Sequence, residues 1–292
     1  MAAFAPPGFI PADPVRVADD VARALAEDLG GGDVTAALLA DAPQVAYVLC
    51  KEDAVLAGRP WFDACFRALD PQVRLDWRVD DGAHVAAGTV VCTLAGRSRA
   101  LVSGERTGLN FLQTLSGTAT RTAEFVAALA GTRTRVLDTR KTLPGLRHAQ
   151  KYAVRVGGGV NHRIGLFDAV MLKENHIRAA GSIAAAAGAA RARFPDLPLI
   201  IEVETLDELA QALATDCTRI LVDDFALDDL REAVRIAAGR IPLEVSGSVS
   251  LERLGEIAAT GVDYVSVGAL TKHVHAIDLS MKLGPPPLSR HT

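Results

Sequence analysis

The runs Leu199-Ile200-Ile201-Glu202, Ile220-Leu221-Val222-Asp223, Leu243-Glu244-Val245-Ser246 and Tyr264-Val265-Ser266-Val267-Gly268 decide how this chain folds. Each is short and mostly apolar, and each gives way at once to polar or small residues. Between them lie Leu206–Leu213, Leu227–Ala238 and Leu251–Ala259, whose apolar residues recur at helical spacing. Short apolar strands alternating with amphipathic helices predict parallel βαβ units. The same pattern extends upstream, where Arg135-Val136-Leu137 precedes Asp138-Thr139-Arg140-Lys141 and Ala169-Val170-Met171-Leu172 precedes Lys173-Glu174-Asn175-His176. An α/β barrel gathers all such strand ends at one mouth, whereas a doubly wound open sheet gathers fewer, so the barrel is the expected architecture.

The first hundred residues have another rhythm. Residues 1–14 are rich in proline and predict an irregular lead-in. A helix is predicted over Val15–Leu29, stopped by Gly30-Gly31-Gly32. The strand-like runs Val45–Cys50, Val73–Val79 and Val90–Leu94, with turn residues over 80–89, predict hairpins in a small, mostly antiparallel sheet. This half reads as an α+β domain.

At 292 residues, 49% hydrophobic and 23% charged, the chain has enough apolar sequence for a sizeable core and is not a disordered polymer. A net charge of −4 argues against a general nucleic-acid binder. The alanine-rich stretch 179–192 is too weakly apolar to span a bilayer, and the N-terminal residues do not resemble a signal peptide. Cys50, Cys65, Cys92 and Cys217 lie apart, without a CxxC pair or metal-ligand spacing, as expected of buried thiols in a cytoplasmic protein.

Cations concentrate between Arg133 and Arg163, where Arg133, Arg135, Arg140, Lys141, Arg147, Lys151, Arg155 and Arg163 accompany His148 and His162 and the sole acid is Asp138. Such a bias in a net-acidic chain suggests a pocket for a multiply anionic ligand, since guanidinium forks match carboxylates and phosphates; solvated helix faces are the alternative. Glu202 and Asp223, ending successive strands, suit ribose hydroxyls, Mg²⁺ or a developing cation, and equally suit helix N-caps. Ser246-Gly247-Ser248 and Gly268, after the last two strands, stand where barrels often bind phosphate through backbone N–H groups. These features describe an enzyme acting on a phosphorylated sugar and an anionic partner. Phosphoribosyl transfer fits, and so do several phosphosugar aldolases and isomerases.

Longer strings narrow the choice. Glu105-Arg106-Thr107-Gly108-Leu109-Asn110, Asp138-Thr139-Arg140-Lys141-Thr142-Leu143-Pro144-Gly145-Leu146-Arg147, Gly157-Gly158-Gly159-Val160-Asn161-His162-Arg163 and Met171-Leu172-Lys173-Glu174-Asn175-His176 resemble the quinolinate phosphoribosyltransferase family, in order, over nearly the whole chain. The resemblance implies transfer of phosphoribose from phosphoribosyl pyrophosphate to quinolinate, giving nicotinate mononucleotide, pyrophosphate and CO₂ with Mg²⁺ as cofactor, in the de novo route to NAD. It implies an N-terminal open α/β sandwich over residues 1–112 and an incomplete, seven-stranded α/β barrel over 113–272, with the tail 273–292 packed back on the sandwich. It also implies a homodimer, or a higher oligomer, in which Arg106 reaches the partner's site.

Matched position by position, Arg140, His162 and Arg163 would hold the quinolinate carboxylates, with Thr139 and Lys141 beside them. Lys173 would lie between the pyridine and the pyrophosphate. Glu202 and Asp223 would face the ribose and its Mg²⁺, and Ser246, Gly247, Ser248 and Gly268 would receive the 5′-phosphate. Lys141, Lys173, Glu202 and Asp223 are the expected catalytic groups. Three positions depart from the family's usual pattern: Ser248 stands where Gly is common, Asp224 where Asn is, and Gly108 where Ala is, the last expected to loosen a helix start by up to about 1 kcal/mol.

Overall fold

A computed structural model describes residues 11–247 and 249–287. The chain passes through α1 (Pro14–Leu29), β1 (Pro43–Cys50), β2 (Ala54–Val55), α2 (Arg59–Leu69), β3 (Arg74–Trp77), β4 (His84–Val85), β5 (Val90–Arg97) and α3 (Ser98–Ala128). There follow β6 (Arg135–Leu137), α4 (Arg147–Val156), β7 (Val170–Leu172), α5 (Glu174–Ala180), α6 (Ile183–Arg193), β8 (Leu199–Val203) and α7 (Leu206–Ala212). The last elements are β9 (Arg219–Asp223), α8 (Leu227–Ala237), β10 (Leu243–Ser246), α9 (Leu254–Ala258), β11 (Tyr264–Ser266), α10 (Ala269–Lys272) and β12 (Leu279–Leu283).

Two compact units emerge. One combines the chain up to Ala123 with Leu143–Gly158 and everything from His273 onward; the other comprises Glu124–Thr142 and Gly159–Lys272. The 31-residue α3 is continuous to Ala128, and the two units part within it, between Ala123 and Glu124.

In the first unit, α1 starts one residue earlier than expected. The Asp13 carboxylate accepts from Val15 N at 2.9 Å, and Pro14 occupies a position whose missing N–H costs nothing. Its apolar stripe, Val17, Val21 and Leu25, packs with Trp61 and Cys65 of α2 and Phe111 and Leu115 of α3. A second core joins Phe62 and Phe66 to the inner face of an antiparallel sheet in the order β12-β1-β5-β3. The tail closes that sheet: β12 pairs with β1 from Ala46↔Leu283 to Cys50↔Leu279.

The hairpin reading of residues 80–89 needs correction. β3 does pair antiparallel with β5, but β4 leaves that sheet and pairs with β2. The cause is Asp81, whose carboxylate accepts from Gly58 N (3.0 Å), Arg59 N (3.3 Å) and Tyr152 Oη (2.7 Å), pinning the turn to the start of α2.

α3 carries Gly104, Gly108 and Gly117, which lower its intrinsic helicity. Packing explains two of them. A Cβ at Gly117 would lie 2.0 Å from the His275 carbonyl oxygen, and one at Gly108 would lie 2.9 Å from the Phe66 ring. Gly108 therefore makes room for an aromatic side chain in mid-helix and does not loosen a helix start.

In the second unit, six parallel strands run in the order β6-β11-β10-β9-β8-β7, so the first strand in sequence lies beside the last, as in a barrel. The seventh position is held by a single parallel bridge, Leu137↔Val160, and the seam between Val160 and β7 stays open. Alternation along the strands sorts the faces. Ile201, Val203, Ile220, Val222, Leu243, Val245 and Val265 join the large core against Leu209, Leu230, Leu254 and Ile257 of the surrounding helices. Ala169, Ile200 and Leu221, with Met171, form a small separate cluster on the inner face. Glu202, Asp223, Glu244 and Ser246 share that inner parity. Among the described residues no helix is long and apolar enough to cross a membrane.

Two substitutions test this packing. Asp81→Ala removes three hydrogen bonds at once and is expected to destabilise the protein by about 2–4 kcal/mol in chemical denaturation. Gly117→Ala has no space for its methyl group; a loss of at least about 1–3 kcal/mol is expected, and wild-type stability would contradict the close approach of α3 to residue 275.

Candidate active site

The mouth of the second unit is built from strand ends. Beyond β6, the Thr139 hydroxyl accepts from Lys141 N at 3.0 Å, and Thr271 Oγ1 donates to the Lys141 carbonyl at 2.8 Å. Gly268, after β11, faces the same loop: a Cβ there would meet Lys141 Cδ at 2.8 Å and Thr139 Oγ1 at 3.5 Å. Only glycine leaves that approach open.

Asp138, at the end of β6, is fully buried. It accepts from His162 N (2.8 Å) and Asn161 Nδ2 (2.6 Å), while Asp138 N donates to the Val160 carbonyl (3.1 Å). These bonds lay residues 160–162 along β6 and deliver Arg163 to the mouth. Arg163 donates to the Ala169 carbonyl at 3.2 Å and leans on Met171 Sδ at 3.6 Å. Burial, reinforced by the neighbouring charge of Arg140, holds the Arg163 guanidinium below its usual pKa, with Asp168 and Glu202 opposing the shift. The two guanidiniums thus lie close enough for their charges to act on one another, an arrangement that favours a ligand with two negative charges.

Lys173 ends β7 and pairs with Glu202 at the end of β8, and Lys173 N donates to His176 Nδ1 at 3.1 Å. Asp223 lies opposite Ser246 in the β9–β10 register. Asp224 adopts a left-handed backbone (φ 57°), a conformation that Asn and Asp tolerate best among non-glycine residues, which accounts for the exchange of these two at this position. Gly247 is also left-handed (φ 85°), and a Cβ there would lie 3.1 Å from Asp224 N. Ser248 lies outside the described residues.

The cation-rich stretch does not act as one cluster. Arg140, Lys141, His162 and Arg163 reach the strand ends. Arg133 instead pairs with Asp263, and Arg135 is exposed at the opposite end of β6. Arg147, His148, Lys151 and Arg155 lie on α4 in the first unit, where Lys151 is buried and Arg155 lies over the Tyr152 ring (5.8 Å). Arg106 is exposed on α3 in the first unit, beside a cavity lined by Asp28, Asp33 and Ser103.

Sequence reasoning missed Glu244 and Arg219. Glu244 is completely buried within β10; its Oε2 lies 3.0 Å from an Arg219 guanidinium nitrogen and 3.3 Å from His162 Nε2. Burial pushes this carboxyl upward, but His162 and Arg219 together outweigh it and hold its pKa below the ordinary carboxylate range. The available signal was one acid inside an apolar strand, two residues before Ser246 and so on its face.

Glu202 and Asp223 are the carboxylates at these strand ends that could reach a divalent cation. Among the described residues, no group of three or more His, Cys, Asp or Glu gathers as a metal site. Chemically, the mouth offers paired guanidiniums for a dianion, carboxylates beside a lysine, and small-residue loops for a phosphate.

Comparison with known proteins shows the family. The model of the quinolinate phosphoribosyl transferase N-terminal domain matches residues 33–116, and that of the C-terminal domain matches 118–282. A Synechocystis protein named as a probable carboxylating nicotinate-nucleotide pyrophosphorylase is 45% identical over 265 residues, 89% of this chain and 90% of its own. The Mycobacterium leprae nicotinate-nucleotide pyrophosphorylase is 43% identical over 276 residues, 91% of this chain and 96% of its own. The structure of the Francisella tularensis nicotinate-nucleotide pyrophosphorylase superposes with a TM-score of 0.91 at 44% identity, covering 94% of this chain and 98% of that one. The chain belongs to the quinolinate phosphoribosyltransferase family.

Proposed function

We propose that this enzyme transfers the phosphoribosyl group of phosphoribosyl pyrophosphate to the ring nitrogen of quinolinate, giving nicotinate mononucleotide, pyrophosphate and CO₂. The observation that carries this reading is that Asp138 ties the segment bearing Arg163 to the strand end that bears Arg140, so that the two cations act on one another and could together take a dicarboxylate. The Lys173–Glu202 pair lies at the neighbouring strand ends, where it would meet the ribose and the departing pyrophosphate.

The chemistry asks mainly for alignment and charge stabilisation. The bond between ribose C1′ and the pyrophosphate oxygen breaks, and the pyridine nitrogen supplies the electron pair that replaces it. Positive charge developing on the sugar favours Glu202 and Asp223, and Lys173 offsets charge on the leaving group. Holding the dianion through two guanidinium forks converts the encounter into an oriented, effectively intramolecular step. Once the nitrogen is quaternised, the electrons of the bond to the 2-carboxylate stay on the ring as CO₂ leaves, and that carbon takes up a proton.

A Mg²⁺ ion suits this donor set provided that pyrophosphate supplies most of its ligands, because the protein offers two carboxylates and one of them is paired with Lys173. Glu202 and Asp223 would hold it, and it would neutralise the leaving group. We further propose a homodimer in which Arg106, exposed on α3, completes the partner's site. Four free, buried cysteines support action in a reducing compartment such as the cytoplasm.

Release of CO₂ from 2-carboxyl-labelled quinolinate should require phosphoribosyl pyrophosphate and match nicotinate mononucleotide formation one for one. Binding without release would overturn the enzymatic reading. Arg140→Ala should raise the KM for quinolinate at least about tenfold, the worth of a lost charge-assisted hydrogen bond, with a much smaller effect on that for phosphoribosyl pyrophosphate. An equal rise in both would contradict the assignment. At a low quinolinate concentration, where Arg106→Ala and Arg140→Ala each retain little activity, mixing the two proteins should restore about a quarter of wild-type activity, because half the mixed population is heterodimeric with one intact site of two. No recovery on exchange would refute a site shared between subunits.

A further inference from the structure

Resting on that substrate reading, we propose that Glu244 is a positioning residue of the dianion pocket, acting through His162 to fix the backbone of Arg163. The argument starts from the two ring nitrogens of His162. Nδ1 accepts from Arg163 N at 2.7 Å, so the neutral ring carries its proton on Nε2. Nε2 lies 3.3 Å from Glu244 Oε2. Each ring nitrogen therefore faces protein, and the ring itself is nearly buried. A histidine held in this way orients its neighbours, much as an outer-shell partner orients a metal ligand.

Glu244 is built to hold that tautomer. It comes from β10 and is completely buried, while His162 comes from the segment bridged to β6; β11 lies between β10 and β6 in the sheet order. The contact therefore crosses the barrel interior, and it is anchored at both ends. Arg219 of β9 reaches the same Glu244 oxygen at 3.0 Å and lies over the Tyr264 ring of β11 at 4.7 Å. A buried carboxylate is tolerated only when so paired. The line Arg219–Glu244–His162–Arg163 N connects two parallel strands, β9 and β10, to the backbone from which the Arg163 guanidinium projects. Arg163 then projects from a fixed backbone, within electrostatic reach of Arg140.

Three measurements test the assignment. In the wild-type protein, ¹⁵N NMR of the imidazole should show His162 as the Nε2–H tautomer both with and without quinolinate; the Nδ1–H tautomer would overturn the proposal. Glu244→Met keeps the volume and removes the acceptor. By calorimetry it should weaken quinolinate binding at least about tenfold while leaving phosphoribosyl pyrophosphate binding within about twofold. Glu244→Gln should restore most of the loss, because its amide oxygen can take the place of Oε2. Unchanged quinolinate affinity in Glu244→Met, or an equal loss for both substrates, would refute a positioning role. If Glu244→Met does not fold, the tautomer decides. A wild-type protein that fails to bind quinolinate would overturn the substrate reading, and this inference with it, before any variant is made.

Discussion

The candidate active site depends on a buried carboxylate that touches no proposed ligand. A carboxylate removed from water costs several kcal/mol unless its oxygens are satisfied. Asp138 meets that demand with the His162 amide and the Asn161 side chain, and so ties a second piece of chain to the end of β6. Where a full barrel would have a strand, this protein has the single Leu137↔Val160 bridge and these side-chain bonds. The two guanidiniums of the pocket follow directly. Arg140 stands two residues beyond Asp138 on one piece, and Arg163 stands one residue beyond His162 on the other. Their approach is imposed by a neutralising network beneath them, which is why like charges can sit together before a ligand arrives.

The barrel was legible because its physics is local. A parallel strand covered on both faces must be apolar throughout, and the residue that ends it emerges at the mouth. Lys173, Glu202, Asp223 and Ser246 all stand where an apolar run stops. Glu244 broke the same rule from inside. Its acid lies in mid-strand, and only the partners brought by distant segments, His162 and Arg219, make it tolerable there. The cation-rich stretch misled for the converse reason. It is continuous in sequence, but the chain leaves the second unit at residue 142 and returns at 159, so three of its eight Arg and Lys residues, Arg147, Lys151 and Arg155, belong to α4.

Of α3 only a helix start near Gly108 was legible, not its span from Ser98 to Ala128. Its glycines and threonines read as poor helix formers, and propensity is a weak guide when tertiary packing decides. The His275 carbonyl approaches so closely at Gly117 that any side chain would collide, and Phe66 occupies the space a methyl would need at Gly108. These glycines look like helix breakers only to a reading that lacks the partner surface. The turn at Asp81 is a parallel case: two acids before a glycine suggest an exposed hairpin loop, and nothing local reveals that one of them caps α2 and accepts from Tyr152.

The same electrostatics bear on selectivity. Arg163 is held below its ordinary pKa by burial first and by Arg140 second, with Asp168 and Glu202 opposing the shift. A ligand with one carboxylate can answer one guanidinium and leaves the other facing it across a partly desolvated gap. A dicarboxylate answers both. Discrimination then arises from what the wrong ligand leaves unpaired as much as from what the right ligand gains. The neighbouring Lys173–Glu202 pair sharpens the effect. Because it is already neutralised internally, it adds little net attraction for a passing anion. On the proposed reading, the count of negative charges is taken at Arg140 and Arg163, on a backbone that the buried carboxylates hold in place.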